Sequence, residues 1–479
     1  MTSITKKQYL LSSRRMENLD MVERRIGEYY LYTDGQLNIS KAMTADGKEV
    51  FLLGNAFCMD EAGKSVISDI EGSTEAELKG ATGYWTGRWA LLSESFLLTD
   101  ACALMSAFYI VSDGEFYVSS SLALITAVLG LKTAYKVSKQ GLTWHFVPDT
   151  VVEGVSALVS TEIMKFDGKS VITEFFDWTV DYRGLSTSEK CEKVADLLVN
   201  GVKNIHLFSG KDIVLALTGG KDSRVTFSAL VKSGVPFVAY TAEHGNISSS
   251  DKSVPEKLSK CFGTEHRYVK KGKFDSDKLE DYLRFTNFNS NGADAEFYSY
   301  GQFEKFPKDS ILIRSGLYEA GQTYSRGLFQ NNVESLRNGI ANYYGLLADS
   351  LQGKAYDRWI AYVKNNPIDK IDLRDRLYIE QRAGGWVSAI EQSLDINDFT
   401  SIQIANSCEL LSVLLSCNDE ERGTLALSYE TIRLLAPEAL RFDVNKTTLG
   451  DKLTLVKQVA KNPVVKVKKL INKIRRRKN

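Results

Sequence analysis

Between Tyr29 and about Leu131 the apolar positions come in short runs broken by Gly, Asp and Asn, as in YYLYTDGQ, EVFLLGNAF, GRWALLSES, FLLTD and EFYVSSSLAL. Such runs predict packed antiparallel sheet starting near Tyr29, with a few helices such as 73–79 and 121–129. The period changes after residue 185. Ser186 and Glu189 form a capping box, and Val194, Leu197, Leu198 and Val202 then share one helical face. Residues 212–217 form a short apolar run, 224–233 a helix with Val225, Leu230 and Val231 on one side, Gly234 its stop, and 235–241 a second strand. Strand, glycine turn, helix and strand make a parallel βαβ unit. A further helix carries Val254, Leu258 and Phe262, Gly263 ends it, and His266 opens a third strand as a structural residue. Residues 372–435 read mostly as amphipathic helix, with 410–416 as core.

This order predicts an α/β protein in two parts: an α+β sandwich over 1–184, then a doubly wound α/β domain with a helical C-terminal lobe over 185–450. Its 479 residues suit two domains, and 43% hydrophobic content is enough for a sizeable core. Lys+Arg and Asp+Glu balance at 60 each, so no global field favours nucleic acid. The exception is the tail, 451–479. From Lys461 onward it has no acidic residue, and Val464, Val467, Leu470, Ile471 and Ile474 form an apolar stripe. A basic amphipathic tail suits an anionic membrane surface or an acidic partner. The six cysteines form no CxxC pair and, with four histidines, no zinc spacing, which predicts buried free thiols in a reducing compartment. The N-terminus lacks the apolar core of a signal peptide, and no run reaches 18 apolar residues. The expectation is a cytoplasmic protein, touching the inner face of the membrane at most through its tail.

The candidate chemistry sits in the turn Thr218-Gly219-Gly220-Lys221-Asp222-Ser223. Its backbone N–H groups and the following helix N-terminus suit a phosphate or pyrophosphate. A Walker A loop would need glycine where Leu215 stands and Ser or Thr where Asp222 stands. A dinucleotide fingerprint needs spaced glycines. At the ends of the two strands, Leu215, Leu217, Tyr240 and Thr241 are the expected neighbours of adenine and ribose.

The turn resembles the PP-loop of ATP pyrophosphatases, Ser-Gly-Gly-x-Asp-Ser, with Thr218 in place of the first serine. The resemblance implies a pyrophosphate wrapped by Thr218, Gly219, Gly220 and Ser223, with Asp222 holding Mg²⁺. Upstream, Thr82 to Ala90, Leu98-Thr99-Asp100 and Phe116 to Ser121 are similar to the glutaminase domain of class B asparagine synthetases, an N-terminal-nucleophile (Ntn) hydrolase fold. That domain uses an N-terminal cysteine. Here Thr2 follows Met1 and the first cysteine is Cys58, which implies lost glutaminase activity and a front half that covers the second domain or docks a partner protein.

Downstream, Asp251 to His266 is similar to the segment that follows the family's PP-loop. Ser315-Gly316 with Glu319 resembles a shortened Gly-x-Gly-x-Asp-Glu, which implies that Gly316 leaves room for phosphate and that Glu319 shares the metal with Asp222. Lys446 matches a lysine that in relatives lies over the reacting groups, where its charge would stabilise adenylation and amine attack.

The resemblance implies an ATP-dependent, AMP- and pyrophosphate-forming ligase that joins a small-molecule, sugar or peptide carboxylate to ammonia or an amine. The front half looks closest to synthetase-like proteins associated with bacterial surface polysaccharides, which implies amidation of a sugar acid. Two other readings stay open: an inactive scaffold in a biosynthetic complex, and a different PP-loop enzyme.

Overall fold

A computed structural model describes residues 4–138, 142–243, 249–291, 293–322, 329–442 and 444. Lys446 and the basic tail lie outside them. The front half holds two six-stranded antiparallel sheets. One runs Ser156–Ala157, Phe108–Ser112, Glu115–Ser119, Tyr9–Ser12, Tyr29–Thr33, Val22–Ile26. The other runs Ser170–Phe175, Glu162–Asp167, Phe96–Thr99, Trp85–Ser93, Glu49–Cys58, Ile39–Met43. Their inner faces meet through Leu11, Leu31 and Val118 from the first and Phe51, Leu53, Leu92 and Leu97 from the second.

The outer faces are also covered. Leu10, Tyr32 and Phe108 pack with Leu122 and Ile125 of helix Leu122–Val128, while Leu52, Trp85 and Leu91 pack with Val66 and Ile70 of helix Val66–Gly72. A strand buried on both faces shows no alternation. The sheet therefore begins at Tyr9 rather than near Tyr29: the four-residue run Tyr9–Ser12 is fully buried and carries no period-2 signal. The helix expected over 73–79 is corrected too. Ser65 caps helix Val66–Gly72, Ser73 ends it in extended conformation, and the chain turns helical again at Leu78–Ala81.

The second half is built on five parallel strands in the order Glu265–Val269, Phe237–Ala242, Asp212–Ala216, Ser310–Arg314, Thr400–Gln403. One face buries Ile213, Leu215 and Ile313 with Val194, Leu198 and Leu230 of the flanking helices. The other buries Val214, Leu312 and Tyr240 with Phe306, Ile390 and Leu394. Helix Thr187–Ser209 opens on the expected Ser186–Glu189 capping box, and helix Lys221–Ser233 stops at Gly234, whose φ of 73° is left-handed. The last strand, Thr400–Gln403, interrupts a region read as helical. Helix Cys408–Leu415 is core, as expected.

Polar contacts lock the halves together. Asn406 donates to the Gly87 carbonyl and to Asp100, both at 2.7 Å, and Thr161 donates to Glu380 at 2.7 Å. Four of the six free thiols are buried, but Cys408 is half-buried and Cys261 is exposed at a helix end, against the expectation for all six. No described helix is long and apolar enough to cross a membrane.

The segment between helix Leu122–Val128 and strand Ser156–Ala157 supplies a pH-dependent element. His145 is buried beside the Tyr135 hydroxyl, and burial, with the Arg358 charge second, pushes it down to about 3. Folded His145 stays neutral where the unfolded chain takes up a proton. Stability is thus full above about pH 6.5 and is lost as pH falls toward 3, at up to about 1.4 kcal/mol per pH unit. His145→Gln is expected to flatten the acid limb of the urea midpoint between pH 6 and 4; an unchanged limb would refute this.

Candidate functional site

In an open parallel sheet the ligand crevice lies beyond the strand C-termini, where the strand order reverses. Here that point falls between Asp212–Ala216 and Ser310–Arg314. The glycine turn leaves the first and the Ser315-Gly316 turn leaves the second.

The glycine turn is tied to itself. The Thr218 N–H donates to Ser223 Oγ at 3.1 Å, the two hydroxyls lie 3.1 Å apart, and the Gly220 N–H donates to Thr218 Oγ1 at 3.1 Å. Gly219 points its N–H away from this ring, to Asp251 Oδ1 at 2.7 Å. A Cβ on Gly219 would lie 2.6 Å from Ser250 Oγ and 2.8 Å from its carbonyl carbon, so only glycine fits. Arg224, fully buried, donates to the Gly219 carbonyl at 3.3 Å and to the carbonyls of Ala439 and Phe442 at 3.0 and 2.6 Å.

Across the crevice, Gly316 opens the short helical segment Gly316–Gly321, which carries Glu319. The Gly316 N–H donates to Gln403 Oε1 at 2.7 Å, and its carbonyl accepts from the Tyr378 hydroxyl at 3.0 Å. Asp222 accepts from Gln322 Nε2 at 2.9 Å and faces the Lys221 ammonium at 3.4 Å; its side chain keeps 28% exposure. Burial nevertheless pushes its carboxyl above the usual range, with Lys221 opposing. Tyr378 is raised well above a normal phenol by burial first, then by Glu319, with a smaller push from Asp222. The Gln322–Asp222 bond sets the Glu319 turn against the glycine turn. Among the described residues no group of three or more His, Cys, Asp or Glu could hold a metal ion.

Thr218, Gly219, Gly220, Asp222 and Ser223 thus lie on one turn, and Gly316 and Glu319 on the next, at the C-terminal ends of adjacent strands. The expected nucleoside neighbours sit differently. Leu215 and Leu217 turn into the core, Tyr240 stacks on Phe306 at 4.9 Å, and Thr241 is bonded to the Leu217 carbonyl at 2.8 Å and to His266 Nε2 at 2.9 Å. Lys446 lies outside the described residues. Sequence reasoning missed Gln322, Tyr378 and Gln403, single polar residues with no motif around them.

Fold and crevice define an α/β protein with a doubly wound parallel sheet and a glycine turn at its switch point. No protein-family model matches the chain, and no curated protein does. Among solved structures it is similar to NMN synthetase from Francisella tularensis: 16% identity over 42% of this chain and 94% of that one, TM-score 0.22. A second is the NH3-dependent NAD synthetase from Campylobacter jejuni: 15% identity, 41% and 92% coverage, TM-score 0.20. A third is the glutamine PRPP amidotransferase from B. subtilis: 9% identity, 64% and 92% coverage, TM-score 0.23. Likenesses this low carry no argument about activity.

Proposed function

We propose that the chain is an ATP-dependent carboxylate–amine ligase of the asparagine synthetase-like, PP-loop type. The observation that carries this is the pairing, across the switch-point crevice, of the Thr218–Ser223 turn with the Glu319 turn. A substrate carboxylate attacks the α-phosphorus of ATP and pyrophosphate leaves. An amine or ammonia then attacks the acyl-adenylate, giving an amide and AMP. The turn's N–H groups receive the pyrophosphate, with Gly219 exchanging its Asp251 carboxylate for a phosphate oxygen.

Asp222 and Glu319 are the carboxylates suited to Mg²⁺, which keeps most of its other positions for water and phosphate. The ion would neutralise charge on the leaving pyrophosphate. Lys446 would be the cation over the reacting groups, as the family resemblance implies. Cys58, the first cysteine, offers glutamine no ready nucleophile: it is buried and its thiol is pushed up to about 12, by burial first and then by Asp60. A sugar acid is the carboxylate we favour.

The test is AMP and pyrophosphate release from Mg-ATP across a panel of carboxylates with ammonium or amines. Release of neither, with no Mg-ATP binding by calorimetry, would sink the enzyme reading. It would leave the scaffold, which the Asp251 carboxylate on Gly219 favours. Gly219→Ala is expected to displace Ser250 and weaken Mg-ATP binding at least about tenfold, the worth of one charge-assisted hydrogen bond. Unchanged binding would remove Gly219 from the site.

A further inference from the structure

At the opposite end of the parallel strands, a cavity of about 320 Å³ lies between the two halves, lined by Lys7, Asn55 and Arg88 from the front and by Lys211, Asp395 and Ser401 from the second half. Lys211 immediately precedes one strand and Ser401 lies at the start of another, so the cavity meets the strand N-termini and not the crevice. Its size falls at the lower end of small-molecule pockets.

Its charges do not balance. Arg88, 7% exposed, gives Nη1 to both Asp395 oxygens at 2.7 Å and Nε to the Leu104 carbonyl at 2.9 Å. Its Nη2 is buried with no hydrogen-bond partner among the described residues, and so is Ser401 Oγ. Lys7 places its ammonium on the Asn397 and Phe399 carbonyls at 2.8 and 2.7 Å, adding a second cation. The rim acids are already paired: Asp309 with Lys211, Asp398 with Lys6 and Lys308. Inside, Asp395 is the carboxylate that answers Arg88, and Lys7 shares it, with Asp398 a weaker and already paired neighbour. Two buried, unanswered donors beside a half-buried second cation carry a free-energy cost that a carboxylate removes. Its two oxygens match a guanidinium edge plus a hydroxyl, with Ser401 Oγ reaching the cavity by rotation about χ1.

We propose that this cavity is a second ligand site, separate from the crevice, that takes a small carboxylic acid as its anion. The site joins residues of both halves, and Ser401 shares a strand with Gln403, which holds the Gly316 N–H in the crevice.

The probes are succinate, L-aspartate and acetate, titrated into the full chain by calorimetry, with chloride at matched ionic strength as reference. At least one carboxylate is expected to bind. Ser401→Ala should weaken it about tenfold, the scale of one hydrogen bond to a charged group. Ser401→Leu should abolish it by filling the cavity, and Asp222→Ala should leave it unchanged. The proposal is overturned if no probe binds beyond chloride, or if binding survives Ser401→Leu. It is equally overturned if binding is lost in Asp222→Ala, which would assign the carboxylate to the crevice. None of these outcomes depends on ATP turnover.

Discussion

Asp222→Ala is expected to lower ATP-dependent pyrophosphate release at least about 100-fold, the scale for losing a group that stabilises developing charge. Asp222 sits in the first helical turn after the glycines, and Gln322 aims it across the crevice. The same substitution should not weaken the fold. Burial raises the Asp222 carboxyl, so its charge near neutral pH is a burden that folding carries. The associated stability is full below about pH 4 and falls as pH rises through the higher folded value. Alanine should therefore hold or raise the urea midpoint at pH 7 while activity disappears. Asp222→Asn separates charge from geometry, because its amide oxygen can still accept from Gln322. Full activity in either variant would rule out a metal-holding role.

The largest stability effect should come from Arg422, which is fully buried. Its guanidinium forks onto Asp375 at 3.0 and 3.2 Å and donates to the carbonyls of Cys417, Leu415, Ala320 and Gln322. Removing one partner of a buried ion pair costs about 3–5 kcal/mol. Arg422→Met should lose that much in urea unfolding, and Asp375→Asn in the same background should recover part of it. Ala320 and Gln322 follow Glu319 directly along its turn, so the variant should also lose pyrophosphate release at temperatures where it remains folded. A loss under about 1 kcal/mol, the worth of an ordinary hydrogen bond, would show that the surrounding carbonyls find other donors.

What the chain discloses by itself is local. The Ser186–Glu189 box, the Gly234 stop and the glycine turn each depend on a few neighbouring residues, and each appears where expected. Tyr9–Ser12 and Thr400–Gln403 escaped because their pairing partners lie far along the chain: Leu10 pairs with Tyr32 and Ser119, and Ile402 with Ile313. Neither segment has the length to show a period. The crevice divides the same way. Thr218 to Ser223 is contiguous and legible, whereas Gln322 and Tyr378 act through a carboxylate and a carbonyl that only the fold assembles. Leu215 and Tyr240 were read by position, and the sheet uses their side chains for its core.

The contacts of the first described residues set a timetable. Lys6 and Lys7 each donate to carbonyls 390 residues downstream, and Gln8 Nε2 reaches the Asp395 carboxylate at 2.7 Å. At about 5–20 residues per second on the ribosome, those partners emerge roughly 20–80 s after the two lysines. Arg88 waits for Asp395, 307 residues downstream, roughly 15–60 s at the same rate, while the front sandwich exposes the polar face that later meets the second half. The two sheets must either wait with that face hydrated or be held by a chaperone until the last parallel strand is made.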